Sequence, residues 1–368
     1  MKTLTITLKQ HTPLIHFQHS EPGAKLRATE VKPKLDRYIL TKLGGGNYET
    51  GINKAKGQGL LTGKGEHPAL DYKLRISASG KDKIPTIKLE VKHRADGKYE
   101  TEKFPLLLSN MGGRDSEDEL VNFSMYKFIT LKIITTKENV YQLLDTYIPT
   151  FIANTNFGQR SNKGFGSFTP YKIDGDDYEE AYRFKTPYDE CNKNCPYMEF
   201  QIGNPRDGYQ NLGSQIKLFT VIEKFWSDLR YIIKKDFDTD KSSIETPQSY
   251  IRAMKELSPE KNSNPNDEVT RMPAPIIFKP VWDDNGNKVR VYIMPDFALI
   301  KKLEEKYSTN NRLTSRYTIN PSGILIFKYI KDFIASIIDE QYQNWSVKVG
   351  RDANTGKNVY IKVRFNNI

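Results

Sequence analysis

Twelve residues near the middle of the chain limit what it can become: Phe157-Gly-Gln-Arg-Ser-Asn-Lys-Gly-Phe-Gly-Ser-Phe168. Before them, from Glu138, the residues Val140, Leu143, Leu144, Tyr147 and Ile148 fall at helical spacing, and Pro149 should end or kink that helix. After them, Phe168–Ile173 reads as extended. A glycine-rich loop therefore joins a helix to a strand. Gly158, Gly164 and Gly166 permit positive φ and leave no Cβ to obstruct a close-approaching backbone. Successive N–H groups in such a turn can form a nest for anions. Arg160 and Lys163 add charge suited to phosphate, with Ser161 between them. Phe165 and Phe168 can stack on bases or anchor the loop to the core, and the sequence leaves both readings open. It also leaves open a tight turn with incidental charge.

Better-known phosphate loops do not fit. A P-loop ends in Gly-Lys-Ser/Thr and follows a strand, whereas here the order is Lys163-Gly164 and a helix comes first. A dinucleotide fingerprint starting at Gly164 would place its third glycine at position 169, which is Thr169.

The rest of the pattern supplies sheets and helices. Leu4, Ile6 and Leu8 alternate with polar residues as a half-buried strand. Arg27–Leu43 reads as a helix, with Thr29 a candidate cap and Val31, Leu35, Tyr38, Ile39 and Leu43 on one face. Gly44–Gly65 holds eight glycines and is not expected to form a packed element. Strand-like alternation returns at Asp71–Ser79, Thr86–His93 and Met125–Thr135. In the second half, Leu212–Lys235 and Ser322–Gln341 read as helices. Ile276–Trp282 with Val289–Ile293, and Trp345–Val349 with Val359–Phe365, read as hairpins. This order predicts an α+β protein of two ferredoxin-like (RRM-like) halves, 1–173 and 174–368, each an antiparallel sheet with helices on one face.

Charge narrows the partner. The chain has 368 residues, 56 Lys+Arg against 45 Asp+Glu and a net charge of +11, a field that attracts polyanions. Residues 1–100 hold 19 Lys+Arg against 10 Asp+Glu, so most of the surplus lies there. No run of 18 apolar residues or signal-peptide core occurs, and a cytoplasmic protein without membrane contact is expected. Cys191 and Cys195 do not make a disulfide framework. With His16 and His19 they are too scattered to predict a metal centre, and no cofactor is expected.

Three segments together carry a family resemblance. The glycine-rich loop resembles the C-terminal glycine-rich loop of the RAMP superfamily, whose members assemble CRISPR effector complexes around guide RNA. Leu26-Arg-Ala-Thr-Glu-Val-Lys-Pro-Lys-Leu-Asp-Arg37 is similar to the first-helix motif of the Cmr-type (type III-B) subunit that caps the 3′ end of the guide. Arg271-Met-Pro-Ala-Pro-Ile276 is similar to a later Arg-x-x-Ser-Pro-Leu/Ile element. The chain departs from the family pattern at Ala28, where Gly is usual, and at Ala274, where Ser is usual.

The resemblance implies a non-catalytic subunit that holds guide RNA and target RNA beside other RAMP subunits. Its RNA contacts would be Arg27, Lys32, Lys34, Arg37, Gly158, Arg160, Ser161, Lys163, Gly164, Phe165, Gly166 and Arg271. Related proteins include nucleases that use a His, and the loop after the first strand holds His11, His16 and His19. A metal-independent endoribonuclease that processes guide RNA is therefore an alternative. A protein–protein scaffold is a third.

Overall fold

The computed structural model describes residues 1–15, 25–63, 68–82, 87–89, 92–93, 99–100, 121–123, 125–178, 196–202, 212–239, 276–295, 345–352 and 355–365. Strand β1 (Lys2–Gln10) buries Leu4, Ile6 and Leu8 as the alternation requires. Helix α1 (Ala28–Leu43) follows, then α2 (Tyr48–Gly57), β2 (Lys73–Ser77), β3 (Phe128–Thr135), α3 (Glu138–Asn154) and β4 (Phe168–Ile173). The strands lie in the order β4-β1-β3-β2, every neighbour antiparallel, with Asp176–Asp177 as a short edge beside β4. This is the split βαβ arrangement of a ferredoxin-like sheet. Its core sits between the sheet and α1 and α3, where Val31, Leu35, Ile39, Val140, Leu144 and Ile148 are buried.

The second sheet contains β5 (Tyr197–Gln201), β6 (Ile276–Trp282), β7 (Lys288–Pro295), β8 (Ser346–Arg351) and β9 (Asn358–Phe365), with α4 (Leu212–Thr239) between β5 and β6. Its order is β6-β7-β5-β9-β8. The first four strands repeat the ferredoxin-like order, and β8 adds an edge through its hairpin with β9. Phe225 of α4 packs against Phe278, Trp345 and Phe365 on one face of this sheet. The α+β expectation holds. The helix expected at Ser322–Gln341 lies outside the described residues.

One expectation is corrected and another narrowed. Residues 48–57 are helical, although a glycine-rich loop was expected there. Asn47 caps this helix by accepting the Thr50 N–H, and Ile52 and Ala55 are buried. Gly51 lets α2 lie directly on α1, since a Cβ there would stand 1.7 Å from the Leu40 carbonyl oxygen. Of the two outcomes expected at Pro149, an end or a kink, the end is excluded, because α3 continues to Asn154. Burying Phe151 and Ile152 beyond the proline stabilises by roughly 1.5–3 kcal/mol each, enough to offset a proline cost of about 3 kcal/mol.

Candidate nucleic-acid interface

The glycine-rich loop lies at the junction of the two sheets. β6 is an edge strand, so alternate backbone groups along it face away from its own sheet. Side chains of the first half cover them. Asn156 Nδ2 donates to the Phe278 carbonyl at 2.7 Å, Ser167 Oγ to the Pro280 carbonyl at 2.6 Å, and the Trp282 N–H to His11 Nδ1 at 3.1 Å. Pro280 suits this edge because it has no N–H to satisfy. Asn156 and Ser167 bracket the loop and form a β-bridge with each other. The loop is thus clamped at both ends to the strand it faces.

Lys279 is the deepest part of this junction. It is fully buried, and its Nζ donates to the carbonyls of Ile152 at 2.9 Å, Thr155 at 2.8 Å and Phe168 at 2.8 Å. Three donors meeting three carbonyls is ammonium geometry, and two of those carbonyls close the C-terminal end of α3, where a cation suits the helix dipole. Burial pulls the Lys279 ammonium well below its ordinary pKa.

His11 spans the same seam. Nε2 lies 2.7 Å from Thr169 Oγ1 while Nδ1 accepts from Trp282. Burial, with Lys9 and Lys279 nearby, holds its pKa well below the usual histidine value. Both ring nitrogens are engaged, so His11 is not presented to a 2′-hydroxyl. His16 and His19 lie outside the described residues.

The glycines serve close approach. Gly158 has φ +79°, and a Cβ there would lie 2.5 Å from the Ile15 carbonyl oxygen. Gly166 has φ +64°, and its Cβ would lie 1.9 Å from the Phe157 carbonyl oxygen. The loop's N–H groups go largely to protein acceptors. Phe157 donates to Gly166, Gln159 to Ile15, Gly166 to Pro13, and Ser167 to Thr12 Oγ1. The anion nest expected from the sequence is therefore occupied by the protein's own oxygens.

Phe165 is corrected as an RNA contact. Its ring is 0% exposed and stacks on Phe219 of α4, centroids 4.0 Å apart and planes 11° from parallel. Phe168 is likewise in the core, edge-on to Phe157. Gly164 is also buried, against Pro280 and Ile222. Arg160, Ser161 and Lys163 are half-buried, with one terminal guanidinium nitrogen of Arg160 fully covered and Arg160 in the left-handed region at φ 54°.

Helix α1 meets this loop through Glu30, whose Oε1 accepts the Gly158 N–H and pairs with Lys34 at 3.0 Å. Lys34 Nζ stands 5.3 Å from the Phe157 ring centre. Arg27 is the exposed N-cap of α1 without a side-chain cap bond, a correction to the expectation for Thr29. Arg37 is exposed, its guanidinium 5.0 Å from the Tyr48 ring centre. Positions 27, 30, 34 and 37 recur at helical spacing, so these residues share one side of α1.

Lys32 does not belong with them. It pairs with buried Asp36 at 3.2 Å, donates to the Leu70 carbonyl at 2.9 Å and covers the Tyr72 ring at 3.5 Å. Burial lowers the Lys32 pKa, against the pull of Asp36, and burial raises that of Asp36. Its role in the fold is internal. Arg271 lies outside the described residues, although Ile276 at the end of its motif opens β6.

Asn156, Ser167 and Lys279 were not singled out by their sequence context. The usable signal was a polar residue immediately flanking each end of the loop, and a lysine inside an apolar strand. Among the described residues, no group of three or more His, Cys, Asp or Glu gathers as a metal site, and no helix is long and apolar enough to cross a membrane.

Comparison with known proteins now bears on this geometry. No curated protein matches the chain. Similar solved structures include Cmr1 from Pyrococcus furiosus in its apo form, 11% identical over 80% of this chain and 88% of that one, with a TM-score of 0.40. Another is a chain of the Type III-B Cmr-beta bound to cognate target RNA and AMPPnP, 12% identical over 83% and 98%, with a TM-score of 0.39. Residues 1–233, well over half the chain, match the family described as the Cmr1 N-terminal domain. The chain belongs to the Cmr1 N-terminal domain family, and is a Cmr-type RAMP protein.

Proposed function

We propose that this protein is an RNA-binding structural subunit of a type III CRISPR effector ribonucleoprotein, holding the 3′ region of the guide RNA and the 5′ part of a paired target. The supporting observation is the bond from the Gly158 N–H to Glu30. It sets the exposed cations of α1 beside the outer side of the glycine-rich loop. On this reading Arg27, Lys34, Arg37, Arg160 and Lys163 form one basic face. Such a face reads backbone and shape, and sequence is left to pairing between guide and target.

The inner side of the loop is committed to joining the two halves, so rigid placement of that face is part of the same function. We place the halves at 1–173 and 174–368 and expect neighbouring RAMP subunits to flank them. The test is crosslinking in the assembled ribonucleoprotein, with 4-thiouridine at either the 3′ or the 5′ end of the guide. The proposal expects the 3′ probe to label peptides from α1 or the glycine-rich loop. Labelling only from the 5′ end would refute it.

A further inference from the structure

The outer face of the second sheet has an open end that the junction does not use. Along β9, Ile361 and Val363 are buried while Tyr360, Lys362 and Arg364 are exposed. Cross-strand register extends this face on both sides. Tyr360 pairs with Lys348 of β8, and Arg364 pairs with Glu199 of β5, itself opposite Arg290 of β7. Directly paired residues share a face.

A groove of about 460 Å³ runs between Lys288 and the β9 residues Tyr360, Lys362 and Arg364. Glu199 is the one carboxylate in its lining, and it is held by Lys288 at 2.7 Å and Arg290 at 2.6 Å. Burial acts to raise the Glu199 pKa, but those two bonds outweigh it and keep the group ionised. Among the described residues, no hydrogen bond or ion pair engages the side chains of Lys348, Lys362 or Arg364. The groove lining therefore sets Lys288, Lys362 and Arg364 against a single carboxylate, with Arg290 and Lys348 beside it in strand register.

The second observation is Tyr360. It is 57% exposed, and with Met1 it is one of two large apolar side chains left in solvent among the described residues. An exposed aromatic ring on a sheet is a surface on which a base can stack, whatever its identity. Outward-facing residues two apart on a strand are about 6.6 Å apart, comparable with successive phosphates of an extended single strand.

We propose that the open face of the second sheet, centred on Tyr360, Lys362 and Arg364, is a sequence-tolerant platform for single-stranded RNA. Tyr360 stacks on a base, and the flanking cations hold adjacent phosphates. This platform lies on a different sheet from the α1 and glycine-loop face and does not depend on it.

The test uses the full chain and a fluorescein-labelled oligouridylate of about twelve nucleotides, within the span that single-strand-binding sheets cover. Affinity is measured by anisotropy across a salt series, with thermal unfolding confirming that each variant is folded. All variants are made both in the parent and in Arg27→Ala/Arg160→Ala, so failure of the other face is read separately. Tyr360→Ala is expected to weaken binding about fivefold or more with an unchanged salt slope, and Tyr360→Phe to restore it. Lys362→Glu with Arg364→Glu is expected to reduce the slope of log affinity against log salt by about 1.4, for two lost phosphate contacts. Parental affinity in Tyr360→Ala overturns the proposal, as does a parental slope in the double reversal. Either would leave the face to a protein partner.

Discussion

Glu30 accepts the backbone N–H of Gly158, so the first turn of α1 and the glycine-rich loop, 128 residues apart in sequence, form one surface. Glu30 also pairs with Lys34. A carboxylate thus sits among the cations of the proposed RNA face, fixing the loop while leaving Arg27 and Arg37 exposed.

Lys32 and Arg27 should separate stability from RNA binding. Lys32→Ala removes the partner of buried Asp36 and should cost about 1–3 kcal/mol in urea unfolding, with little change in RNA affinity. Arg27→Ala should do the reverse, leaving the urea midpoint within error and weakening RNA binding. If Lys32→Ala weakened RNA binding as much as Arg27→Ala in folded protein, the division of α1 into two faces would be wrong.

The glycines of the loop should not be interchangeable with those elsewhere. Gly166→Ala combines positive φ with a backbone clash and should destabilise by about 2–4 kcal/mol. Gly45→Ala also meets positive φ, but no atom lies within 4 Å, so about 1 kcal/mol is expected. Equal losses in chemical denaturation would contradict the packing described at Gly166.

Lys279→Met keeps the buried stem but strips three carbonyls of their donor. A loss of about 2–4 kcal/mol is expected, together with earlier hydrogen exchange at the end of α3. A neutral or stabilising outcome would mean that the desolvation of the ammonium outweighs its three bonds.

Acid should weaken the junction through His11. Its folded pKa lies well below the ordinary value of 6.5, because burial and the nearby Lys9 and Lys279 disfavour the imidazolium. Below about 6.5 the unfolded chain takes up a proton that the folded one refuses. Stability is therefore full above that pH and falls by about 1.4 kcal/mol per unit as pH drops toward the folded pKa. Urea unfolding at pH 7 and pH 5 should show this loss, and His11→Gln should remove its contribution.

Much of the first sheet was legible because its residues repeat a simple period. Leu4, Ile6 and Leu8, and the stripe from Val140 to Ile148, state their burial directly. Gly44–Gly65 misled, and Pro149 left the end of α3 open, because local propensity competes with tertiary packing, which here favours helix at Phe151, Ile152, Ile52 and Ala55. The candidate site was legible as a location but not in its division of labour. Composition marks Arg160 and Phe165 alike as part of a basic aromatic loop. Only the stack on Phe219 shows that one faces the core. Lys32 and Lys34 differ likewise by a rotation about the helix axis, which charge pattern alone does not assign a partner.

The central claim, that α1 and the outer side of the glycine-rich loop grip RNA backbone, is tested most directly by the salt dependence of guide-RNA affinity. Arg27→Ala, Lys34→Ala, Arg160→Ala and Lys163→Ala are combined in one folded variant and compared with the parent. The account predicts weaker binding at low salt and a slope of log affinity against log salt shallower by about 2–3 units, for four lost phosphate contacts at about 0.7 each. Unchanged affinity and slope would contradict it and favour a scaffold whose basic surface is incidental.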